Sequence, residues 1–150
     1  MVQDARQRTK VWLETYLRNS QLTKDNGSRQ ASFIVAFDEP DYPIIKVFKT
    51  KGVDLIFSIG TPNSTPIVSG DQVVRRYEEH VPFEWSCINK VGIAGTKLRW
   101  KATAEVRYVG VNYPTGSQRV VIDERPNDQD LGSTTLFSQK ATMIYKRDTT

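Results

Sequence analysis

Two prolines set close together in Phe37-Asp38-Glu39-Pro40-Asp41-Tyr42-Pro43-Ile44-Ile45-Lys46-Val47-Phe48 constrain the local folding of this chain more than any other feature. Pro40 and Pro43 have no N–H to give to a helix, and each presses the residue before it, Glu39 or Tyr42, toward extended backbone. Ile44, Ile45, Val47 and Phe48 are β-branched or aromatic and suit a pleated, half-buried surface. The segment reads as an acidic turn that opens a strand over Ile44 to Lys49. Taken alone it is a loop-to-strand junction.

A chain of 150 residues can bury a core without staples, and one domain over residues 1–150 is expected. Its hydrophobic content of 38% is low for a self-contained globule, which points to a thin core, extended loops or stability gained in an assembly. The net charge of +4 is modest, with acids and bases interspersed, and describes a slightly basic surface better than a polyanion-binding one. Cys87 stands alone, so neither an intrachain disulfide nor a cysteine-rich zinc site is available. It shares strand parity with Val81, Phe83 and Trp85 and reads as a small buried hydrophobe. Residues 1 to 10 are polar with no apolar run behind them, and no segment is long enough to span a bilayer. The expectation is a chain made and kept in the cytoplasm, with no membrane partner.

Residues 2 to 22 read as an amphipathic helix. Ala5, Val11, Trp12 and Tyr16, with Leu13 and Leu17 beside them, follow helical spacing. Asp4 stands at its start, and Arg6, Arg8, Lys10, Glu14 and Arg18 are expected to face water. A meander of three strands follows, Ser32 to Phe37, Ile44 to Lys49 and Val53 to Ile59, with Lys51-Gly52 as a tight connection. Gly60 to Asp71 reads as a long irregular loop and Gln72 to Asn89 as β, with Pro82 marking an edge or a bulge. In Lys97 to Tyr108, Leu98, Trp100, Ala102, Ala104, Val106 and Tyr108 alternate with polar residues, which favours a strand. The same segment carries a helical stripe of Leu98, Ala102, Val106 and Val109. Arg119 to Glu124 reads as a strand, Arg125 to Gly132 as a polar loop and Ser133 to Arg147 as a long closing strand.

Enzymatic chemistry finds no footing. His80, the single histidine, lies beside no nucleophile motif. Asp38, Glu39 and Asp41 lack the ordered spacing of a calcium loop. Asp123, Glu124, Asp128 and Asp130 read as loop acids, and Gly92 to Gly95 is not a phosphate-binding fingerprint. The expectation is a non-enzyme with no metal, no cofactor and no catalytic residues. Lys97, Arg99, Lys101 and Arg107 form a basic row with Trp100 and Tyr108 interleaved. In a strand those aromatics point away from the bases, which argues against a base-stacking platform.

With this order of elements, the Phe37 to Phe48 segment resembles the strand-opening segment of the tail terminator proteins of long-tailed phages, F-D-E-x-D-[FY]-P followed by alternating apolar residues. Asp123-Glu124-Arg125-Pro126-Asn127-Asp128-Gln129-Asp130-Leu131-Gly132-Ser133, leading through Ala141, Met143 and Tyr145, also resembles that family's acidic loop and closing strand. The resemblance implies an α+β protein, mainly an antiparallel or mixed β-sheet with an N-terminal amphipathic helix. It also implies a helix before the closing strands, over Ala94 to Tyr113, and that helix is adopted here against the periodicity. It further implies a homo-hexameric ring that caps the tail tube, ends its growth and offers the surface for head docking. The implied partners are other copies of the chain, the tail tube protein and a head-completion or connector protein. Genomic DNA would pass through the lumen without sequence-specific binding, and the location would be the virion neck or tail.

Ring subunits tolerate a thin core and long polar loops because neighbours cover them. Pro62, Asn63, Pro66 and Ile67 from the first loop, and Arg125, Asp128 and Asp130 from the second, are the candidate subunit or partner contacts. A head-closure or tail-completion protein of the same connector is a neighbouring reading. A small basic nucleic-acid-binding module is a reading of a different class.

Overall fold

The computed structural model of the chain describes residues 4–17, 21–24, 30–38, 47–48, 52–66, 76–114, 116 and 118–148. Helix α1 (Ala5–Tyr16) begins at Asp4, whose side chain accepts the Gln7 N–H at 2.8 Å and satisfies one of the donors a helix start leaves unpaired. Ala5, Trp12 and Leu13 are buried at helical spacing, and Leu17 just beyond the helix is buried too. The helix is shorter than the sequence suggests, because Leu17 turns extended while its N–H still bonds the Leu13 carbonyl. Val11 lies off the buried stripe and is exposed. Arg6 and Arg8 do not simply face water. Their guanidinium carbons lie 4.5 Å from the ring centroids of Phe37 and Tyr145, their stems laid along apolar surface.

Strands β1 (Phe33–Phe37), β2 (Leu55–Ile59), β3 (Asn63–Pro66), β4 (Arg76–Ile88), β5 (Gln118–Ile122), β6 (Asn127–Asp130) and β7 (Thr135–Asp148) form one mixed sheet, and helix α2 (Gly95–Asn112) crosses from β4 to β5. The strand order is β1-β2-β4-β7-β5, with β3 pairing along β4 and β6 along β7. Only β1 and β2 run parallel among these pairings. All 13 residues of β4 pair with β7, from Arg76 opposite Asp148 to Ile88 opposite Leu136. The architecture is α+β, with α1 at the N-terminal end.

The structure corrects the sequence reading at the expected meander and at the two expected loops. The first and third strands of the expected meander are β1 and β2, but they pair directly and in parallel. Between them Val47 and Phe48 are helical, and the rest of Ile44 to Lys49 lies outside the described residues. Lys51 lies outside the described residues, but Gly52, with φ 62°, donates its N–H to the Phe48 carbonyl at 3.1 Å and so closes a helical turn rather than a hairpin. A short apolar run has no period long enough to separate helix from strand.

The helix adopted over Ala94 to Tyr113 forms as α2 despite the segment's strict strand alternation. As a helix it buries Leu98, Ala102, Val106 and Val109 and leaves Trp100 71% exposed, whereas alternation would have put Trp100 inside. The Asn89 side-chain oxygen accepts the Gly95 N–H at 2.8 Å at the start of this helix. The two expected loops each contain a strand. Asn63–Pro66 pairs with Tyr77 to His80 as β3, and Asn127–Asp130 pairs with Thr135 to Ser138 as β6. Both are polar, and β6 is exposed throughout. Their pairing is made by the backbone, which hydrophobic patterning does not report.

Both helices cover one face of the sheet. Val35, Phe57, Val81, Phe83, Trp85, Met143 and Tyr145 point into that layer and meet Trp12, Leu13, Leu98, Ala102 and Val106. A polar chain crosses it. Trp85 Nε1–H donates to Thr103 Oγ1 at 3.0 Å, and that hydroxyl lies 2.9 Å from the Arg99 carbonyl and 3.0 Å from Gln139 Oε1. Gln139 Nε2–H then donates to the Asp123 carbonyl at 2.9 Å. On the opposite face a second cluster of Phe48, Val53, Ile56 and Leu136 covers one end only.

Cys87 is buried, as its strand parity suggests. Beside it Gly95 packs so closely on Phe137 that a Cβ there would collide with the ring. We expect Gly95→Ala to lower stability by about 1–3 kcal/mol, read from urea unfolding. An unchanged midpoint would show that this contact does not hold the helix on the sheet.

Candidate functional site

Pro82 lies in a central strand, a position proline rarely occupies because it breaks the ladder. Its carbonyl accepts the Gly60 N–H at 2.8 Å, so the side of Pro82 that lacks an N–H also faces Gly60. There β2 gives way to β3. Ile59 pairs with Phe83 and Asn63 with His80, so three residues, Gly60, Thr61 and Pro62, stand against two, Val81 and Pro82. This is a bulge, and it bends the strand. On the far side of the β4–β7 ladder, β5 gives way to β6 between Ile122 and Asn127, opposite Ala141 and Ser138.

Between the two breaks the sheet face turned away from the helices forms an open depression of about 530 Å³. Strand register lays a row across it: Ser58 opposite Glu84, Glu84 opposite Lys140, and Asp123, whose N–H donates to the Lys140 carbonyl at 2.9 Å. Asp38 closes the row at the β1 end, and Pro82, Thr142 and Val121 line its floor and wall. Val121 is 46% exposed. Arg6 of α1 ties this rim by donating to the Ile59 carbonyl at 3.2 Å.

The carboxylates of the row differ in state. The Arg125 backbone N–H, 3.0 Å from Asp123 Oδ1, and the Arg125 guanidinium hold Asp123 below the usual carboxylate range. Burial pushes Glu84 above it, and although Lys140 opposes this, the like charge of Asp38 adds to it. Cys87, under the helix layer, is pushed up to about 12 by burial, and its S–H donates to the Gly95 carbonyl at 3.2 Å.

The second distinctive surface is the outer side of α2. Lys97, Trp100, Ala104, Arg107, Tyr108 and Val111 are exposed there, at the spacing of one helical face. The basic row of the sequence is divided by this geometry. Arg99 is buried and ion-paired with Asp128. Lys101 donates to the Thr23 carbonyl at 2.8 Å. Arg107 pairs with Glu124 at 2.8 Å. Lys97 and Arg107 share the exposed face with Trp100, which the strand reading had separated.

The sequence-derived contact residues do not gather in one place. Pro62 is in the β2–β3 bulge beside the depression, Asn63 and Pro66 are in β3, and Ile67 lies outside the described residues. Arg125 projects its side chain into solvent. Asp128 is exposed but ion-paired with Arg99 of the same chain, and Asp130 accepts the Gly132 N–H at 2.9 Å in the β6–β7 turn. Sequence reasoning missed Glu84, Lys140, Val121 and the outward Trp100. The helical stripe in α2 was the available signal for Trp100. Among the described residues no three His, Cys, Asp or Glu side chains gather to hold a metal ion, and no helix is long and apolar enough to cross a membrane. His80 Nε2 lies 3.4 Å from Glu78, which also bonds Arg119. No protein-family model and no curated protein sequence matches the chain.

Two expectations test this geometry. A folded-state value above the unfolded one means that Glu84 supplies stability present below the unfolded value of 4.5 and lost as pH rises through the folded value. Glu84→Gln should therefore be more stable than the native chain near neutral pH and lose that advantage in acid. Equal differences in urea midpoint at both pH values would refute the assignment. Cys87 should react with a thiol reagent only as fast as the protein unfolds, and rapid labelling of the folded chain would contradict its burial.

Proposed function

We propose that this chain is a virion structural protein of the neck or tail of a long-tailed phage, a terminator-like subunit whose ring caps the tail tube and offers the head-docking surface. The observation that carries this reading is α2. Strand alternation argues against a helix at Ala94 to Tyr113, while the resemblance to tail terminators requires one there. The chain forms a helix over Gly95–Asn112, followed by closing strands. A sheet that, among the described residues, is covered on one face by two helices and on the other only at one end also suits a subunit completed by its neighbours. The tail tube protein and a connector protein are the proposed partners at the two ends of the ring.

A basic nucleic-acid-binding module is the second reading, and one observation favours it: α2 places Lys97, Trp100 and Arg107 on one accessible face, which a stacking surface needs. Glu124, paired with Arg107 at 2.8 Å, weighs against a phosphate-binding role for that arginine.

Negative-stain electron microscopy of the concentrated protein, with its mass from light scattering, separates the two. Rings with a central hole and the mass of about six chains are expected. A monomer whose binding to DNA falls steeply with added salt would overturn the ring and establish the module.

A further inference from the structure

Two unlike surfaces lie on opposite sides of this subunit. The outer side of α2 is basic and apolar, and Trp100 and Val111 on it are 71% and 73% exposed. The sheet face turned away from the helices is acidic and apolar, with Asp38, Glu84 and Asp123 around Lys140 and with Val121 and Pro82 beside them. Resting on the ring reading above, we propose that the Trp100 stripe of one copy seats in the Glu84–Val121 depression of the next copy, so that the chain assembles head to tail.

Several independent features favour this occupant. The depression, at about 530 Å³, has room for an indole with flanking side chains. Its charge is complementary: with Arg125 paired to Asp123, Asp38 and Glu84 still outnumber Lys140 in the depression, while on the stripe Lys97 beside Trp100 carries the positive charge and Arg107 is shared with Glu124. Glu84 is half-buried and stands opposite Lys140 across the strand pair, and the like charge of Asp38 bears on it as well, so a further cation from the neighbour would be favourable there. An exposed tryptophan flanked by cations also has the composition of an interface anchor. Because the two surfaces differ, the contact is heterologous, and repeating it generates a ring when the rotation closes.

Trp100→Ala removes the anchor and Val121→Arg blocks the seat. Both positions are exposed, so each variant should unfold at the native temperature, which is checked first by circular dichroism. Each is expected to weaken self-association by at least about 30-fold, the loss typical of an anchor residue, and to run as a monomer where the native chain forms rings. Mixing the two is decisive. Trp100→Ala keeps an intact seat and Val121→Arg an intact stripe, so together they should form one-to-one dimers that cannot grow. Native rings with both variants still forming rings would overturn this contact and leave the ring reading standing. A native chain that stays monomeric would overturn both. Loss of DNA binding in Trp100→Ala, without any self-association of the native chain, would reassign the stripe to nucleic acid.

Discussion

The ladder between β4 and β7 is the constraint on which the remaining structure rests. Every residue of β4 has a partner in β7, and the other strands attach to these two: β2 and β3 along β4, β5 and β6 along β7. The register of this one pairing decides which side chains meet the helices. A slip of one residue of either strand would turn that strand's set, Val81, Phe83 and Trp85 or Met143 and Tyr145, away from α1 and α2 and bring Glu84, or Lys140 and Thr142, under them. Each large side chain so displaced would forfeit roughly 1.5–3 kcal/mol of burial. The chain from Trp85 through Thr103 and Gln139 to the Asp123 carbonyl adds a polar requirement to the same register. It joins β4, α2, β7 and the end of β5, and a slipped ladder would leave its buried donors and acceptors unpaired.

The interruptions of the flanking strands follow from the same ladder. Pro82 cannot donate toward β2, and the bulge at Gly60 to Pro62 falls where that donor is missing. On the other side the break at Asp123 to Pro126 is held by the Asp123–Arg125 turn and by Gln139. Two breaks thus flank an unbroken pair of strands on either side. The hollow on the face turned away from the helices, with Glu84 and Lys140 at its centre, lies between them. The surface proposed to receive a neighbour is thus bordered by the feature that accommodates a proline in a central strand.

Helix α2 joins the outer stripe and the sheet to one core. Its inner stripe closes the hydrophobic layer, Arg99 reaches Asn127 and Asp128 of β6, and its outer stripe carries Trp100. Lys97, Trp100 and Arg107 act as a single surface only because the segment is helical. In a strand the aromatic would be buried and the cations alone would face water.

By itself the sequence determined the N-terminal helix with Asp4 at its cap, the identity of the long strands around Trp85 and Met143, and the burial of Cys87. Each depends on local periodicity or capping, which neighbouring residues encode. The resemblance to tail terminators added the helix at α2, where two periodicities were superimposed and only burial on the sheet could choose between them. The tertiary structure alone decided the parallel pairing of β1 with β2, the existence of β3 and β6, and the row that brings Ser58, Glu84, Lys140 and Asp123 together. Those features depend on backbone hydrogen bonds and register between segments far apart in the chain. Polar strands such as Asn127–Asp130 leave no hydrophobic pattern by which a sequence could announce them.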